Sequence, residues 1–518
     1  MKKEKKRFGP VITLIILIFV IILISSIASA IGMRGEITTI TNGAIEQSSS
    51  KVKSIISKDG LDYFLSSPVN NFRAFEPLVL IIISLMAISI GKTSGLFKVI
   101  FTKFRRLKSG IITFLTLFIA IISSFFGAYS YVILIPLSAV IYQYLGKNSV
   151  YGILVTFIGI TLGYSTGLVF NYEDYQLGLL TKVAAVTVDP SYQFNAWSSL
   201  FIMIASTFII AIIGTIILET FLKPKIKESL IEDVKYNYSK KGLVISSLVF
   251  ILFIILFIYM ITPNLPGSGV LLDMDQKDYV AQLLGGNSTF NDAFIFMFLV
   301  VMMVCSGIYG YMSKNIKDTN DFSVGLSKEF DNLGYIFILM FFMSLLTSIL
   351  TYTNLGEVVA SLITSFIGNL EFTGIPLILI TIIGIILMSI LIPDLTTKWT
   401  IASPVIVPLF MKANITPDFT QFVFKIADSI GKGLTPLFIY FIVMLAFLEK
   451  YNKKESVKIT VFGTLKQILP SVLLFAVLLI LIVIGWYILG MPIGTDTNPT
   501  MWKTANFPNW RQNKSQFE

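Results

Sequence analysis

Five charged side chains stand inside otherwise apolar stretches of the second half of this 518-residue chain: Asp394, Lys398, Lys425, Asp428 and Lys432. An ionised group held away from water is costly, so such residues face a cavity, pair with one another, or carry protons and ions. Lys398 follows Asp394 by four residues, and Lys432 follows Asp428 by four, so either pair could meet across one helical turn. Two readings stay open here, a transport pathway and structural ion pairing. In the first half, Glu173 and Asp174 follow the step Gly163-Tyr164-Ser165-Thr166-Gly167. They read almost equally well as surface-loop residues and as functional carboxylates.

The chain contains no histidine, so a proton carrier must be Asp, Glu or Lys, and histidine metal sites are excluded. Its one cysteine, Cys305, lies in an apolar run and forbids an intramolecular disulfide. No nucleophile–base set and no metal-binding cluster stands out, so no catalytic residue and no metal site are expected. Gly91-Lys92-Thr93 looks like the end of a nucleotide-binding loop, but Met86 occupies the place of the required glycine and no strand precedes it.

These charges need elements to hold them, and composition says where those elements are. Hydrophobic residues make up 55% of the chain and charged ones only 14%, with a mean hydropathy of +0.80. A soluble domain would expose far more charge; the solvent here is lipid. The net charge of +10 sits in short loops between apolar runs, the pattern of membrane orientation rather than of nucleic-acid binding. MKKEKKR at the start places the amino terminus in the cytoplasm. The run from Pro10 to Met33 is long enough to remain as a spanning helix, although Ala28-Ser29-Ala30 also reads as a signal-peptidase site.

Spans are expected near Glu76–Ile90, Trp197–Phe221, Gly242–Ile261, Asp292–Tyr311, Tyr335–Thr351 and Ile468–Leu489, with an amphipathic stretch over Leu355–Ile367. Two pairs of short apolar arms flank polar tips: Gly110–Ser124 with Tyr131–Leu145, and Ile375–Ile390 with Thr400–Phe410. Each is followed by an interrupted run, one broken at Gly163–Gly167 and one at Asp428–Gly433. Of the 40 Lys and Arg, this arrangement puts 26 in cytoplasmic segments and 11 outside, with Lys398, Lys425 and Lys432 at membrane depth. Lys223, Lys225 and Lys227 fix the helix before them as running inward. The first hairpin then opens to the cytoplasm and the second to the outside, an inverted repeat. Ser165 and Ser429 each begin a Ser-x-Gly step in the interrupted runs, which echoes that symmetry.

The expected fold is thus an all-α polytopic membrane protein with nine transmembrane helices plus two re-entrant hairpins. The chain divides into an N-terminal helix and outer segment (1–75), a first half (76–222), a second half (223–494) and an outer tail (495–518). Hairpin 1 falls at about 109–146 and its broken helix at about 150–190; hairpin 2 falls at about 373–412 and its broken helix at about 417–449. A backbone break in hydrocarbon leaves N–H and C=O groups without partners, so matching breaks point to a binding site at the repeat interface; simple proline kinks are the competing account.

At these motifs the chain resembles the AbgT family, the p-aminobenzoyl-glutamate transporters. The similar stretches are Ser130–Gly146 (SYVILIPLSAVIYQYLG), Gly163–Ala185, Asp189–Lys225, Lys398–Asp418 (KWTIASPVIVPLFMKANITPD), Lys425–Tyr451 and Leu489-Gly490-Met491-Pro492. The charge count above leaves the carboxyl terminus outside a bacterial inner membrane; the resemblance implies nine spans, two hairpins, a homodimer, and secondary transport of p-aminobenzoyl-glutamate. It also implies, for some members, export of sulfonamide-type antimetabolites. For the site it implies roles for Asp174, Trp399, Thr396 (where Ser is usual), Pro417 and Asp428.

Three departures follow from the same comparison. Lys425 stands where the family has arginine, Lys432 where it has an asparagine of a proposed sodium site, and Ser389 at the counterpart before the second tip, which carries Pro393-Asp394. The Lys432 ammonium is expected to take the place of sodium beside Asp428. Transport would then run on protons or the membrane potential. The expected cargo is an anionic aromatic amide, its carboxylates facing Lys425 or Lys398 and its ring on Trp399. Ser165, Asp174, Thr396 and Pro417 complete the substrate set; Asp428, Lys432, Ser389 and Asp394 form the coupling set. The alternatives are another organic anion or peptide, drug export, a channel-like conduit, and an intramembrane enzyme.

Overall fold

The computed structural model describes residues 8–41, 43–223, 236–331, 333–452 and 459–501. The basic residues 1–7, Lys225, Lys227 and the tail after Met501 lie outside these. Helix α1 (Pro10–Ala30) opens with proline at its first turn, where a missing N–H is harmless, and ends where Gly32 adopts a left-handed conformation. The segment after it forms a β-hairpin: β1 (Arg34–Thr41) pairs antiparallel with β2 (Ala44–Lys51), Arg34 opposite Lys51 and Thr41 opposite Ala44. This two-stranded sheet is a small addition to the expected helical fold. Short helices Lys58–Ser66 and Pro68–Arg73 follow, leading to α2 (Glu76–Thr93).

The first hairpin is α3 (Ser109–Ile122), a 3-10 turn over Ser123–Phe126, and α4 (Tyr129–Tyr144). Gly127 makes the reversal with φ of +55°, a conformation that suits glycine. α5 (Ser149–Gly163) then stops at the expected break, and α6 (Tyr172–Ala185) resumes behind a capping box. The Asn171 side chain accepts from the Asp174 N–H, and Asp174 accepts from the Asn171 N–H. Next come α7 (Leu200–Ile217), α8 (Lys240–Met260), α9 (Phe290–Met312), α10 (Gly334–Thr353) and α11 (Leu355–Gly368). Of the residues of α8, only Gly242 and Ser246 are buried, so nearly the whole helix faces outward, as a lipid-facing span does.

The second hairpin is α12 (Gly374–Leu391) and α13 (Leu395–Lys412), followed by α14 (Pro417–Leu434), α15 (Ile439–Tyr451) and α16 (Val461–Leu489). The second break lies later than expected. Gly431 and Gly433 are helical, and the interruption falls at 435–438, bending the two helices by 41°. Pro436 explains the shift: the residue before a proline is driven out of the helical region, and Thr435 is extended with φ −109° and ψ 133°. Gly431 serves packing instead, since a Cβ there would stand 2.5 Å from the Cβ of Ser389 on α12. The segment after α16 is docked, with Ile415 bridged to Thr500 and the Ile202 N–H bonded to the Ile493 carbonyl.

Nine helices among the described residues are long and apolar enough to cross a bilayer, the expected number. Their membership differs. α3, with its 3-10 turn, and α12, the first hairpin arms, are among the nine, whereas α14 and α15 qualify only as a bent pair and α5 is shorter.

At the end of α2 and α15 a three-way ion pair ties the bundle together. Glu329 accepts from Lys92 at 2.6 Å and from Lys450 at 2.9 Å, and the Tyr451 hydroxyl donates to it at 3.2 Å. Burial works to raise the Glu329 carboxyl, but the two ammoniums outweigh it and hold the group down at about 2. A depressed carboxylate stabilises the fold above its ordinary value of 4.5 and loses that contribution as pH falls towards 2. The purified protein is therefore expected to lose thermal stability through this acid range. Glu329→Gln should cost about 2–3 kcal/mol at neutral pH, less than a fully buried pair because Lys92 is partly exposed. An unchanged unfolding midpoint in that variant would contradict the assignment.

Candidate functional site

Both hairpin tips and both backbone breaks line one cavity of about 690 Å³. Phe125–Tyr129 come from the first tip and Leu391–Thr397 from the second. Tyr164 and Asn171–Glu173 come from the first break, and Phe438–Tyr440 from the second. The ends of α2, α9 and α10 contribute Glu76, Asp292 and Asn354. Its walls are aromatic: Tyr131 stacks on Tyr440 at 4.6 Å and meets Phe438 edge-on at 5.3 Å. A larger recess of about 960 Å³ beside the β-hairpin shares Asn354, Glu357, Thr396 and Thr397, and the other charged residues in its lining, Lys51, Lys53 and Asp59, are exposed.

The charge behind the cavity is Asp428 of α14, fully buried between two ammoniums. Lys398 of α13, also fully buried, pairs with its Oδ1, and Lys432, one turn further along α14, pairs with its Oδ2 at 2.8 Å. Ser389 of α12 accepts from Lys398 at 3.0 Å and donates to Asp428 at 3.3 Å. Lys432 also lies over the Tyr164 ring, 4.7 Å from its centroid, and is the lysine that reaches the cavity. Both carboxylate oxygens of Asp428 thus face ammonium groups, a donor set that does not fit the sodium ion the resemblance implies.

A second buried cluster ties α6 to α13 and α14. Asp174 pairs with Lys425, and its backbone carbonyl accepts from Gln421 at 3.3 Å. Gln421 Oε1 accepts from the Thr181 hydroxyl at 2.7 Å, and Thr181 in turn accepts from the Trp399 Nε1–H at 2.9 Å. Trp399 is fully buried and stacks on Phe424 at 4.3 Å.

The expected site residues therefore fall into groups. Asp394, Thr396 and Lys432 line the cavity; Lys398, Asp428 and Ser389 lie behind it; Asp174, Lys425 and Trp399 form the second cluster. Ser165 is buried with an unpartnered hydroxyl, as is Ser429, and Pro417 is the first residue of α14, behind its Thr416 cap. The i, i+4 pairing of Asp394 with Lys398 does not form. Asp394 is the N-cap of α13, accepting from the Thr397 N–H at 2.6 Å and exposed to the cavity, while Lys398 turns away to Asp428. Thr181 and Gln421 gave no sequence signal; they are ordinary polar residues whose value comes from packing. Glu173 is no surface-loop residue: its Oε1 accepts from the Tyr164 hydroxyl and its Oε2 is buried without a partner.

Spanning helices, paired hairpin tips and a charged, aromatic cavity at two backbone breaks define a polytopic membrane transporter. The family model described as "AbgT putative transporter family" matches residues 6–501, and the chain belongs to the AbgT family. The chain is similar to the p-aminobenzoyl-glutamate transport protein of Escherichia coli (strain K12), 25% identical over 507 residues, which are 95% of this chain and 94% of that one. Two solved structures are also similar. The Alcanivorax borkumensis YdaH transporter matches at 22% identity and a TM-score of 0.49, over 94% of this chain and 100% of that one. Neisseria gonorrhoeae MtrF, described with a class of antimetabolite efflux pumps, matches at 25% identity and 0.48, over 95% and 97%.

The burial of Trp399 sets an expectation for its variants. Trp399→Ala removes a fully buried ring and should cost about 3–5 kcal/mol, lowering the unfolding midpoint of the purified protein. Trp399→Phe keeps the stack on Phe424 and loses one hydrogen bond, about 1 kcal/mol. Equal destabilisation by the two would show that the ring does not pack as described.

Proposed function

We propose that this transporter moves an anionic aromatic amide or related carboxylate across a bacterial inner membrane by secondary active transport, with p-aminobenzoyl-glutamate the first cargo to test. The observation that carries the reading is the single cavity shared by both tips and both breaks, with the Lys432 ammonium and stacked aromatic rings in its wall. The named substrate of the Escherichia coli relative supports the cargo class. Positive-inside charge supports a cytoplasmic amino terminus and an outer carboxyl terminus, with the cavity at the outer ends of α2, α9 and α10. In the proposed assembly the working unit is a homodimer. Because Lys398 and Lys425 already have buried carboxylate partners, a cargo held mainly by the aromatic walls, such as a sulfonamide-type antimetabolite, is the second reading.

Coupling in this reading is independent of sodium. The 2.8 Å contact of Lys432 with Asp428 supports it, since an ammonium then occupies the ground a sodium ion would need. In proteoliposomes, counterflow of labelled p-aminobenzoyl-glutamate should be saturable and equal in sodium and potassium buffers. Lys432→Asn should make it respond to sodium. Sodium stimulation of the unaltered protein would rule out this form of coupling, and saturable counterflow of a sulfonamide alone would select the second cargo.

A further inference from the structure

The buried charges at the two breaks balance only if Glu173 is counted. Lys398, Lys425 and Lys432 supply three ammoniums, while Asp174 and Asp428 supply two carboxylates, both in direct ion pairs. Glu173 is the third carboxylate. Among the described residues it makes no ion pair; one oxygen accepts from Tyr164 and the other is buried and unpartnered. It also lines the cavity beside Lys432, whose ammonium rests on the ring of that same Tyr164. At the first tip, a Cβ on Gly127 would come within 3.1 Å of Glu173 Oε1, so the tip backbone closes over the carboxyl.

We propose that Glu173 is the coupling-proton site, and that the cavity takes up an anionic cargo together with a proton at this carboxyl. The inference rests on the anionic reading of the cargo. With Glu173 ionised the cluster is neutral, and an incoming carboxylate adds an unbalanced negative charge where water is scarce. With Glu173 protonated the cluster carries one net positive charge, itself costly until an anion arrives. Each ligand relieves the cost of the other, which is positive coupling, and by linkage it is reciprocal. Asp174 and Asp428 cannot serve as cheaply, because protonating either leaves a buried ammonium unpaired. The groups facing Glu173 are Lys432 of α14, Asp394 of the second tip, Asp174 of its own helix and Tyr164 before the break. Across the cavity, Tyr129 and Tyr131 of α4 and Tyr440 of α15 also feel its charge. Glu76, Asp292 and Asp394 are exposed and water-screened, so they do not share the role.

The test is binding of labelled p-aminobenzoyl-glutamate to the purified full-length protein in nanodiscs, over a pH range in which the cargo's own carboxylates stay ionised. The affinity of the unaltered protein should weaken with rising pH, by up to about tenfold per unit above the Glu173 titration. Glu173→Gln, which keeps an acceptor for Tyr164, should bind at every pH as the unaltered protein does at its acid limit. Glu173→Asp should keep the pH dependence. Infrared difference spectra without cargo should show a protonated-carboxyl band on acidification that Glu173→Gln lacks. An affinity indifferent to pH, or a pH dependence surviving in Glu173→Gln, overturns the proposal, as does a carboxyl band unchanged by that variant. Absence of binding at any pH, with the band lost in Glu173→Gln, supports the proton site and sinks the cargo instead.

Discussion

Asp428 has no water to turn to, and the arrangement around the cavity depends on how its charge is held. Its two oxygens are taken by ammoniums from two helices, Lys398 from α13 and Lys432 from its own, with Ser389 of α12 as a third support. Removing one partner of a fully buried pair leaves the other uncompensated, at about 3–5 kcal/mol. Both arms of the second hairpin are therefore bound to α14 by electrostatics as well as by packing. The absence of a side chain at Gly431 is what allows α12 near enough for Ser389 to take part.

The same scarcity of water governs the backbone. Each break exposes amide groups that need partners, and the first break finds them locally. Asn171 and Asp174 cap α6, the Asn171 amide donates to the Ser124 carbonyl at 2.8 Å, and the Ser124 hydroxyl donates to the Thr166 carbonyl at 2.8 Å. The tip of the first hairpin is thus pinned to the break by hydrogen bonds rather than by apolar contact alone. Glu173 and Asp174 both sit in the first turn of α6, where a helix N-terminus favours negative charge. That field helps to hold the two carboxylates side by side; of the two, among the described residues, only Asp174 makes a direct ion pair, with Lys425.

Helix positions are legible because lipid leaves hydropathy little room for ambiguity: the expected spans, hairpin arms and first break fall within a few residues of the observed elements, except that α13 begins at Leu395 rather than Thr400 and α16 at Val461 rather than Ile468. What failed did so for local reasons. Gly431 and Gly433 looked like a break, yet glycine only permits one, whereas Pro436 enforces it. The four-residue spacing found Asp428 with Lys432 but misled for Asp394, because a residue placed just before a helix caps it instead of reaching along it. The link from Trp399 through Thr181 and Gln421 joins residues more than two hundred positions apart, and nothing in the local sequence marks it. The β-hairpin at Arg34–Lys51 falls within the expected outer segment, for which hydropathy specifies no element, although its Ile and Thr residues suit a strand.

Two buried clusters, one behind the cavity and one to its side, divide the work between them. In the second, Asp174, Lys425, Gln421, Thr181 and Trp399 join the first half's α6 to the second half's α13 and α14, and none of them lines the cavity. The halves are thus fastened to each other beside the cavity by this cluster and at its wall by aromatic contact, Tyr131 on Tyr440 and Lys432 over Tyr164. Among the described residues, a cargo in the cavity meets one ammonium, Lys432, with Lys398 and Lys425 shielded by their own partners. Its binding energy must then come from ring contacts and from the local charge balance rather than from a bidentate clamp, which lysine could not form in any case. On the proposal made for Glu173, that balance, and the proton that alters it, is the main control over when the cavity holds an anion.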